Sequence, residues 1–254
     1  MPSLRLLSLN IHRANHLPLV LPFLAEQMPE VACIQELYES DIPRLSEVLG
    51  GASCVFAPMS RYFREVPPQI MGVGIFSKLP VRKSDISFYS GDPAHIPDLD
   101  QDDPKTWNNK NFSLLWCDIE KDGTIFRTAT THFRWTPDGQ ANDGQRRDMK
   151  ELLRILDPFG ELVLSGDFNA PRGREIFGML TEKYKDNIPT RYVSSLDLGR
   201  HRVPNLQLMV DGIFSTPNYD VSDVEMISGV SDHCALLGTV THAGDIAKRL
   251  GGEI

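Results

Sequence analysis

The chain lacks the features that identify several large classes of protein. Among its 254 residues, no apolar run approaches the ~20 residues that a membrane-spanning helix requires. Its first ten residues are short and alternating, which favours a first strand over a signal peptide. No internal repeat, low-complexity linker or composition shift marks a second domain. We therefore expect residues 1–254 to form a single domain.

Cysteine is scarce, and no two cysteines form a C-x-x-C pair. The four cysteines are scattered along the chain as Cys33, Cys54, Cys117 and Cys234. Three lie in apolar, strand-like runs, where a buried free thiol is the simplest interpretation. The scattered thiols and the strand-like N-terminal residues together favour a reducing, cytoplasmic location.

Basic residues are outnumbered by acidic ones. The chain has 26 Lys and Arg against 34 Asp and Glu, giving a formal net charge of −8. This argues against a broad basic face that binds long nucleic acid. An acidic pocket can nevertheless hold Mg²⁺, and the ion then supplies positive charge for a phosphate-containing substrate. The oligomeric state is left open, since no strong feature indicates association.

Short apolar or alternating segments predict a fold rich in strands. The predicted strands are residues 4–10, 31–36, 54–59, 72–77, 112–120, 124–133, 161–169, 210–215 and 234–241. The predicted helices are residues 17–27, 40–49, 143–156 and 172–183. Asp122-Gly123 predicts a hairpin turn. Residues 91–110 are rich in Asp, Pro and Asn, and we expect a surface loop that could act as a lid.

The strongest chemical motif is Ser165-Gly-Asp-Phe-Asn-Ala-Pro171, which follows an apolar strand. Because side chains alternate along a strand, Asp167 and Asn169 are expected on the same face of its end. They would offer a carboxylate and an amide to a proton, a metal or a phosphoryl oxygen. Gly166 would permit a close backbone approach. An ordinary turn explains the same residues about equally well, since Gly, Asp, Asn and Pro are common in turns.

Other polar residues of catalytic type follow the same pattern. Asn10, Glu36 and His132 each lie near the end of a predicted strand. Ser231-Asp232-His233 precedes the last strand and offers a metal ligand and a general base, although alone it is better explained as a polar turn. Asp211 lies in an apolar run, where a carboxylate needs a partner such as histidine. The recurrence of such residues at most strand ends favours a functional site.

In this order, the motifs resemble those of the endonuclease/exonuclease/phosphatase superfamily. The matching residues are Asn10, Glu36, His132, Gly166-Asp167-Phe168-Asn169, Asp211 and Ser231-Asp232-His233. The resemblance implies a DNase I-like, four-layered α/β sandwich, with two packed mixed β-sheets flanked by helices and the site at one edge. It also implies phosphoester hydrolysis by in-line attack of an activated water.

The resemblance implies a site for one or two Mg²⁺ or Mn²⁺ ions. Glu36 would be the principal ligand, with Asn10 beside it. Asp232 would complete this site or bind a second ion. Such hard cations prefer oxygen ligands.

The resemblance also implies the catalytic roles. His233, paired with Asp211, would be the general base or a cationic contact to the phosphate. Asp167 would position the water or shuttle a proton, and in an alternative scheme it is the base. Asn169 and His132 would donate hydrogen bonds to the non-bridging phosphoryl oxygens.

Substrate contacts are expected from basic and aromatic residues outside these motifs. Arg61 and Arg64 belong to a basic-aromatic cluster, although a solvated loop is at least as good an interpretation. Arg134 and Trp135 directly follow the His132 strand and are the better candidates for contact with the leaving group. The substrate class stays open between nucleic acid, a phospholipid head group and a small phosphoester.

Three other functions compete with the one that the resemblance implies. A calcineurin-like phosphoesterase also needs Gly-Asn-His and Gly-His-x-His segments, and neither occurs. A serine hydrolase built on Ser231 would lack the Gly-x-Ser-x-Gly turn. A non-catalytic module that binds a phosphate ligand on the same fold remains the alternative function.

Overall fold

The protein folds into two mixed β-sheets flanked by helices. The computed structural model describes residues 2–242. In chain order the strands are β1 Ser3–Asn10, β2 Val31–Tyr38, β3 Ser53–Tyr62, β4 Gln69–Ser77, β5 Val81–Ser90, β6 Asp98–Leu99, β7 Phe112–Lys121, β8 Thr124–His132, β9 Val163–Asp167, β10 Lys185–Asp186, β11 Asp211–Ser215, β12 Tyr219–Ile227 and β13 Ala235–His242. The helices are α1 Leu17–Gln27, α2 Ile42–Val48, α3 Asp143–Leu156 and α4 Glu175–Thr181.

Each sheet combines parallel and antiparallel pairs. The first sheet has seven strands in the order β12-β13-β1-β2-β4-β3-β6, and the second has six in the order β10-β11-β9-β8-β7-β5. In the first sheet, β1 and β2 are parallel neighbours. In the second, β8 and β9 are parallel neighbours. Parallel neighbours end at the same edge of a sheet, and this places the functional side chains described below.

The layers follow from alternation of side chains along the strands. On β1, Leu4 and Leu6 point into the core between the two sheets. Leu7 and Leu9 point the other way, into a second core that α1 and α2 cover. Helices α3 and α4 bury apolar residues on the outer side of the second sheet. The result is the four-layered α/β sandwich that the resemblance implied.

Two of the four predicted helices have the predicted bounds, α1 and α3, and the other two are shorter. Residues 39–41 form a 3-10 turn before α2, and the Asp41 side chain makes no capping hydrogen bond. Residue 173 is a glycine with φ +83°, so the backbone becomes helical only at Glu175. The hairpin prediction is confirmed, because Asp122 and Gly123 both have positive φ between β7 and β8.

The sequence patterns missed two long strands, β5 and β12. Each lies at the edge of its sheet. On β5, residues 82–85 are polar and exposed, and on β12 the pairing is interrupted between Ser222 and Glu225. Edge strands of this kind carry no clear apolar alternation, because one side of the strand contacts solvent.

The four cysteines are unpaired, and three of them are buried. Within residues 2–242, every helix is too short or too polar to cross a membrane.

Candidate functional site

Strand register places three of the candidate residues side by side. His132 at the end of β8 is the register partner of Asp167 at the end of β9. Asp211 at the start of the antiparallel β11 is also a register partner of Asp167. The three residues are therefore neighbours across three adjacent strands, and all are buried.

Two candidate residues of the first sheet lie next to these three. Asn10 ends β1, and its Nδ2 donates to Asp167 Oδ2 at 3.0 Å, which joins the edges of the two sheets. His233 precedes β13, which pairs antiparallel with β1. Its Nδ1 lies 2.7 Å from Asp211 Oδ2, in a buried hydrogen bond. The histidine partner that Asp211 needs is therefore supplied from the other sheet.

Asp167 is the centre of this arrangement. Its Oδ2 lies 3.7 Å from His132 Nε2 and 3.8 Å from His233 Nε2. Its Oδ1 accepts a hydrogen bond from the backbone N–H of Asn169 at 2.8 Å. Burial and the neighbouring charge of Asp211 raise the pKa of Asp167 above its usual value.

Gly166 allows the close approach that the motif predicted. Its φ is +149°, and a Cβ at this position would lie 2.1 Å from the carbonyl oxygen of Thr131 on β8. Any larger residue would push β9 away from β8. The spacing of His132 and Asp167 therefore depends on this glycine.

Two sequence expectations about strand ends were wrong. β2 does not end at Glu36 but continues to Tyr38, and Glu36 has φ +53° in a bulge between Ile34 and Leu37. A bulge redirects a side chain, and that of Glu36 faces the cavity. β9 ends at Asp167, so Asn169 is not on the extended strand. Asn169 has φ +48° and donates through Nδ2 to the carbonyl oxygen of Phe133 at 2.9 Å.

A cavity of about 430 Å³ lies next to these residues, and several of them line it. We call six of the lining residues the floor: Glu36, His132, Asp167, Asn169, Asp232 and His233. We call six others the rim: Trp107, Trp135, Asp138, His201, Arg202 and Leu206. The floor comes from strand ends and the segments next to them, whereas the rim comes from loops.

Besides His201 and Arg202 on the rim, three cationic or potentially cationic residues that belong to no sequence motif line the cavity: His12, Arg13 and Lys110. His12 and Arg13 follow β1 by two and three residues, and Lys110 precedes β7 by two. Proximity to a strand end was the available signal, but none of the three belongs to a quoted motif.

The cations determine the charge state of Glu36. Burial alone would raise the pKa of its carboxyl group. The charge that His132 carries when protonated, the charge of Lys110, the charge that His12 carries when protonated and the charge of Arg13 outweigh burial and hold the pKa below its usual value. Conversely, burial lowers the pKa of Lys110, and Glu36 opposes this effect. Glu36 is therefore an ionised carboxylate at neutral pH.

The two floor histidines respond differently to the same burial. Burial and the charge of Lys110 lower the pKa of His132 to about 4, so this ring is neutral at pH 7. Burial would also lower the pKa of His233, but the charges of Asp211 and Asp167 outweigh it and raise the pKa well above its usual value. A carboxylate in hydrogen-bond contact makes the difference.

The donor set at Glu36 fits a divalent metal ion. Arg13 Nε and His132 Nε2 lie 3.7 and 3.9 Å from the Glu36 oxygens, both beyond hydrogen-bond distance. The carboxylate oxygens are therefore free to coordinate an ion. The amide oxygen of Asn10 accepts one hydrogen bond, from the backbone N–H of His12, and keeps a second lone pair. Hard oxygen ligands of this kind suit Mg²⁺ or Mn²⁺.

Each carboxylate oxygen of Asp232 has a polar neighbour. Ser231 Oγ donates to its Oδ1 at 3.1 Å, and His12 Nδ1 lies 3.1 Å from its Oδ2. Because Arg13 Nη2 lies 3.1 Å from His12 Nε2 and can only donate, the proton of a neutral His12 sits on Nδ1, which makes no hydrogen bond within residues 2–242. His12, His16 and Asp232 lie close enough to hold an ion, but in this protonation state His12 offers it no lone pair. Ser231 itself bonds to Asp232, which leaves no support for a serine nucleophile.

Of the four predicted substrate residues, the structure brings only Trp135 to the cavity. Its ring meets that of Trp107 edge-on, with centroids 5.2 Å apart. The other three are held by carboxylates outside the cavity lining. Arg61 binds Asp98, Arg64 binds Asp100, and Arg134 binds Asp148 through Nε at 2.5 Å. A guanidinium next to a carboxylate gains a charge-assisted bond, which fixes its direction.

The segment 91–110 is more ordered than predicted. It contains β6 and a 3-10 turn at Pro104–Thr106, and it contributes Leu99, Gln101, Trp107 and Lys110 to the cavity lining. Its role as a lid stays a prediction.

Comparison with solved structures supports the fold. An endonuclease/exonuclease/phosphatase from Bacteroides vulgatus aligns with a TM-score of 0.72 and 17% identity, covering 95% of this chain and all of that one. The mannosyl-6-phosphatase Bt3783 from Bacteroides thetaiotaomicron gives 0.68 and 14%, covering 94% and 99%. D. rerio TDP2, solved with a single-strand DNA product, gives 0.66 and 15%, covering 95% and 100%. These identities establish a shared architecture only.

The sequence itself matches a known family over most of its length. No curated protein matches it. The model of the Endonuclease/Exonuclease/phosphatase family, however, matches residues 7–233, which include every residue of the floor. The chain therefore belongs to the endonuclease/exonuclease/phosphatase family.

Proposed function

We propose that the protein hydrolyses a phosphoester with the help of a divalent metal ion, through in-line attack of water. The observation that carries this proposal is the position of Asp167. Its carboxylate lies within 4 Å of Asn10, His132 and His233, next to a cavity that also exposes the Glu36 carboxylate. A proton acceptor, hydrogen-bond donors and an open metal ligand thus surround one small volume.

Glu36 and Asn10 would hold Mg²⁺ or Mn²⁺, and Asp232 would complete that site or bind a second ion. When bound, the ion supplies Lewis-acid stabilisation of the phosphoryl oxygens.

The chain's own residues would orient the water and stabilise the developing charge. Asp167 accepts the proton of the attacking water, because its carboxylate lines the cavity. Asp211 fixes the ring of His233, so that Nε2 points toward the reacting atoms and donates to a phosphoryl oxygen in the cationic form. His132 and Asn169 contribute further hydrogen bonds. The alternative assignment, with His233 as base, requires the neutral ring, whereas the charges of Asp211 and Asp167 raise the pKa of His233 and favour the cationic form.

The rim favours a substrate that enters the cavity with its reacting end. A volume of about 430 Å³ accommodates a small phosphoester or the end of a longer molecule. Two relatives of the same fold illustrate the range, since one is a mannosyl-6-phosphatase and the other was solved with single-strand DNA product. A nucleic acid end, a phospholipid head group and a small phosphoester all remain within the proposal. The free cysteines further favour a reducing compartment such as the cytoplasm.

A substrate panel tests the proposal. Purified protein would be assayed on single-stranded DNA, RNA, sphingomyelin, sugar phosphates and a generic diester, with Mg²⁺, with Mn²⁺ and with chelator. We expect turnover that requires the ion and is lost in Glu36→Gln. Glu39→Gln is the matched control, because Glu39 is an exposed carboxylate three residues away.

Silence across the panel with either ion would contradict the proposal. If the protein then bound phosphate compounds without turning them over, it would be the non-catalytic module. Turnover that survives chelation or Glu36→Gln would refute the metal dependence.

A further inference from the structure

Arg13 has an unusual backbone position next to the floor. β1 ends at Asn10, and the chain then passes through His12 with φ +51° and Arg13 with φ +60°. Consecutive left-handed residues other than glycine are unfavourable and persist only where surrounding contacts enforce them. Here the conformation turns the Arg13 side chain inward, to the cavity lining.

Three contacts hold the guanidinium in place. Nη1 donates to Gln101 Oε1 at 2.7 Å, and Nη2 donates to His12 Nε2 at 3.1 Å. The group also stacks over the ring of Tyr62, 5.1 Å from its centroid. These contacts come from three separate segments of the chain. They fix the guanidinium before any ligand arrives, which lowers the entropic cost of binding.

One donor of this fixed group lacks a partner. Arg13 Nε is buried and makes no hydrogen bond within residues 2–242. Glu36 Oε2 is 3.7 Å away from Nε, too far for a hydrogen bond. A buried N–H without an acceptor is unfavourable. Both Arg13 and Glu36 line the cavity.

An anionic oxygen satisfies these groups better than water does. Arg13 and Lys110 both contribute positive potential at Glu36. When an ion occupies Glu36, that potential has no matching negative charge, and a phosphoryl oxygen supplies it. Guanidinium groups bind phosphate through short charge-assisted hydrogen bonds.

We propose that Arg13 binds the phosphoryl group of the substrate, with its Nε–H donating to a non-bridging oxygen beside Glu36. The assignment rests on the proposed phosphoester hydrolysis. It adds a substrate-contacting residue that no quoted motif contains.

The test compares Arg13→Met and Arg13→Lys with Arg154→Met, an exposed arginine of α3 paired with Glu151. Using the best substrate of the panel, we expect kcat/KM to fall roughly 10²–10³-fold in Arg13→Met, as for loss of a transition-state donor. Arg13→Lys should recover less than a tenth of the loss, because an ammonium group cannot reproduce the fixed fork. Arg154→Met should stay within twofold of the unchanged protein.

Binding of inorganic phosphate, measured by calorimetry with Mg²⁺ present, separates this proposal from the proposed function. We expect Arg13→Met to weaken phosphate binding at least tenfold while thermal unfolding without phosphate shows one cooperative transition. Phosphate binding that depends on Arg13 in a protein without turnover would refute the hydrolysis and keep the phosphate contact. Turnover and phosphate binding that both stay within twofold in Arg13→Met would refute the contact and leave the hydrolysis standing.

Discussion

The floor and the rim of the cavity differ in how their side chains are held. On the floor, Asp167 and His132 are 1% and 3% exposed and are placed by strand register. On the rim, Trp107 and Trp135 belong to loops. Their rings contact each other, and Trp107 Nε1 donates to the carbonyl oxygen of Gln101 at 3.0 Å. The hydrogen bonds of a sheet fix the positions of its side chains, whereas loops tolerate change. We therefore expect the chemistry to depend on the floor and the choice of substrate to depend on the rim.

The largest effect in this comparison is expected at Asp167, a carboxylate of the floor. Asp167→Asn should reduce kcat by roughly 10²–10⁴-fold, because an amide cannot accept the proton of water. The fold should persist, since the change removes charge repulsion with Asp211. The matched change on the rim is Asp138→Asn, at an exposed carboxylate that also lines the cavity. Equal losses in the two variants would break the distinction between floor and rim.

The next largest effect is expected in the stability of the protein, at Gly166, which precedes Asp167 of the floor. Gly166→Ala places a Cβ against the Thr131 carbonyl oxygen, and we expect the free energy of unfolding to fall by roughly 2–5 kcal/mol. Gly178→Ala is the control, because Gly178 lies in α4 with open space around it. Alanine there should be neutral or slightly stabilising. Urea unfolding of both variants measures the difference, and an unchanged midpoint for Gly166→Ala would contradict the close approach.

A smaller effect is expected at the aromatic rim. Trp135→Ala should raise KM by about tenfold with a lesser change in kcat, since a ring contact with substrate contributes about 1–3 kcal/mol. Trp135→Phe keeps a ring and should recover most of the affinity. Steady-state kinetics on the best substrate separates the two constants. A fall in kcat with KM unchanged would move Trp135 from the rim to the chemistry.

The smallest effect is expected at the arginines outside the cavity. Arg61→Ala and Arg64→Ala should leave kcat/KM within about twofold, because each side chain is exposed and paired with a carboxylate. A tenfold loss in either variant would restore these residues as substrate contacts and would extend the rim toward β3.

Much of the fold could be read from local patterns. The apolar faces of α1 and α3 and the Asp122-Gly123 turn are local signals, and each is found as predicted. The edge strands β5 and β12 were not predicted, because pairing with a neighbouring strand, and not the pattern of their own residues, makes them strands. The ends of α2 and α4 were misjudged by a few residues, since backbone dihedrals there depend on flanking turns.

The residues of the candidate site also fall into those that local sequence patterns identified and those that they did not. Strand-end motifs identified Asp167, Asp211 and His233, whose types and order are visible in the chain. No motif contained Arg13 or Lys110, which enter the site from turns and loops. Arg134 was expected beside the leaving group from its position after His132, yet Asp148 on α3 binds it instead.

The sequence by itself determined the family, the layered α/β architecture and the residue types gathered at the strand ends, because these depend on order and periodicity along the chain. Only the tertiary structure decided how the residues meet. The register of β8, β9 and β11 aligns His132, Asp167 and Asp211, and the bulge at Glu36 turns that carboxylate into the cavity. Register and bulges result from pairing between distant segments, whose relative positions no local pattern contains.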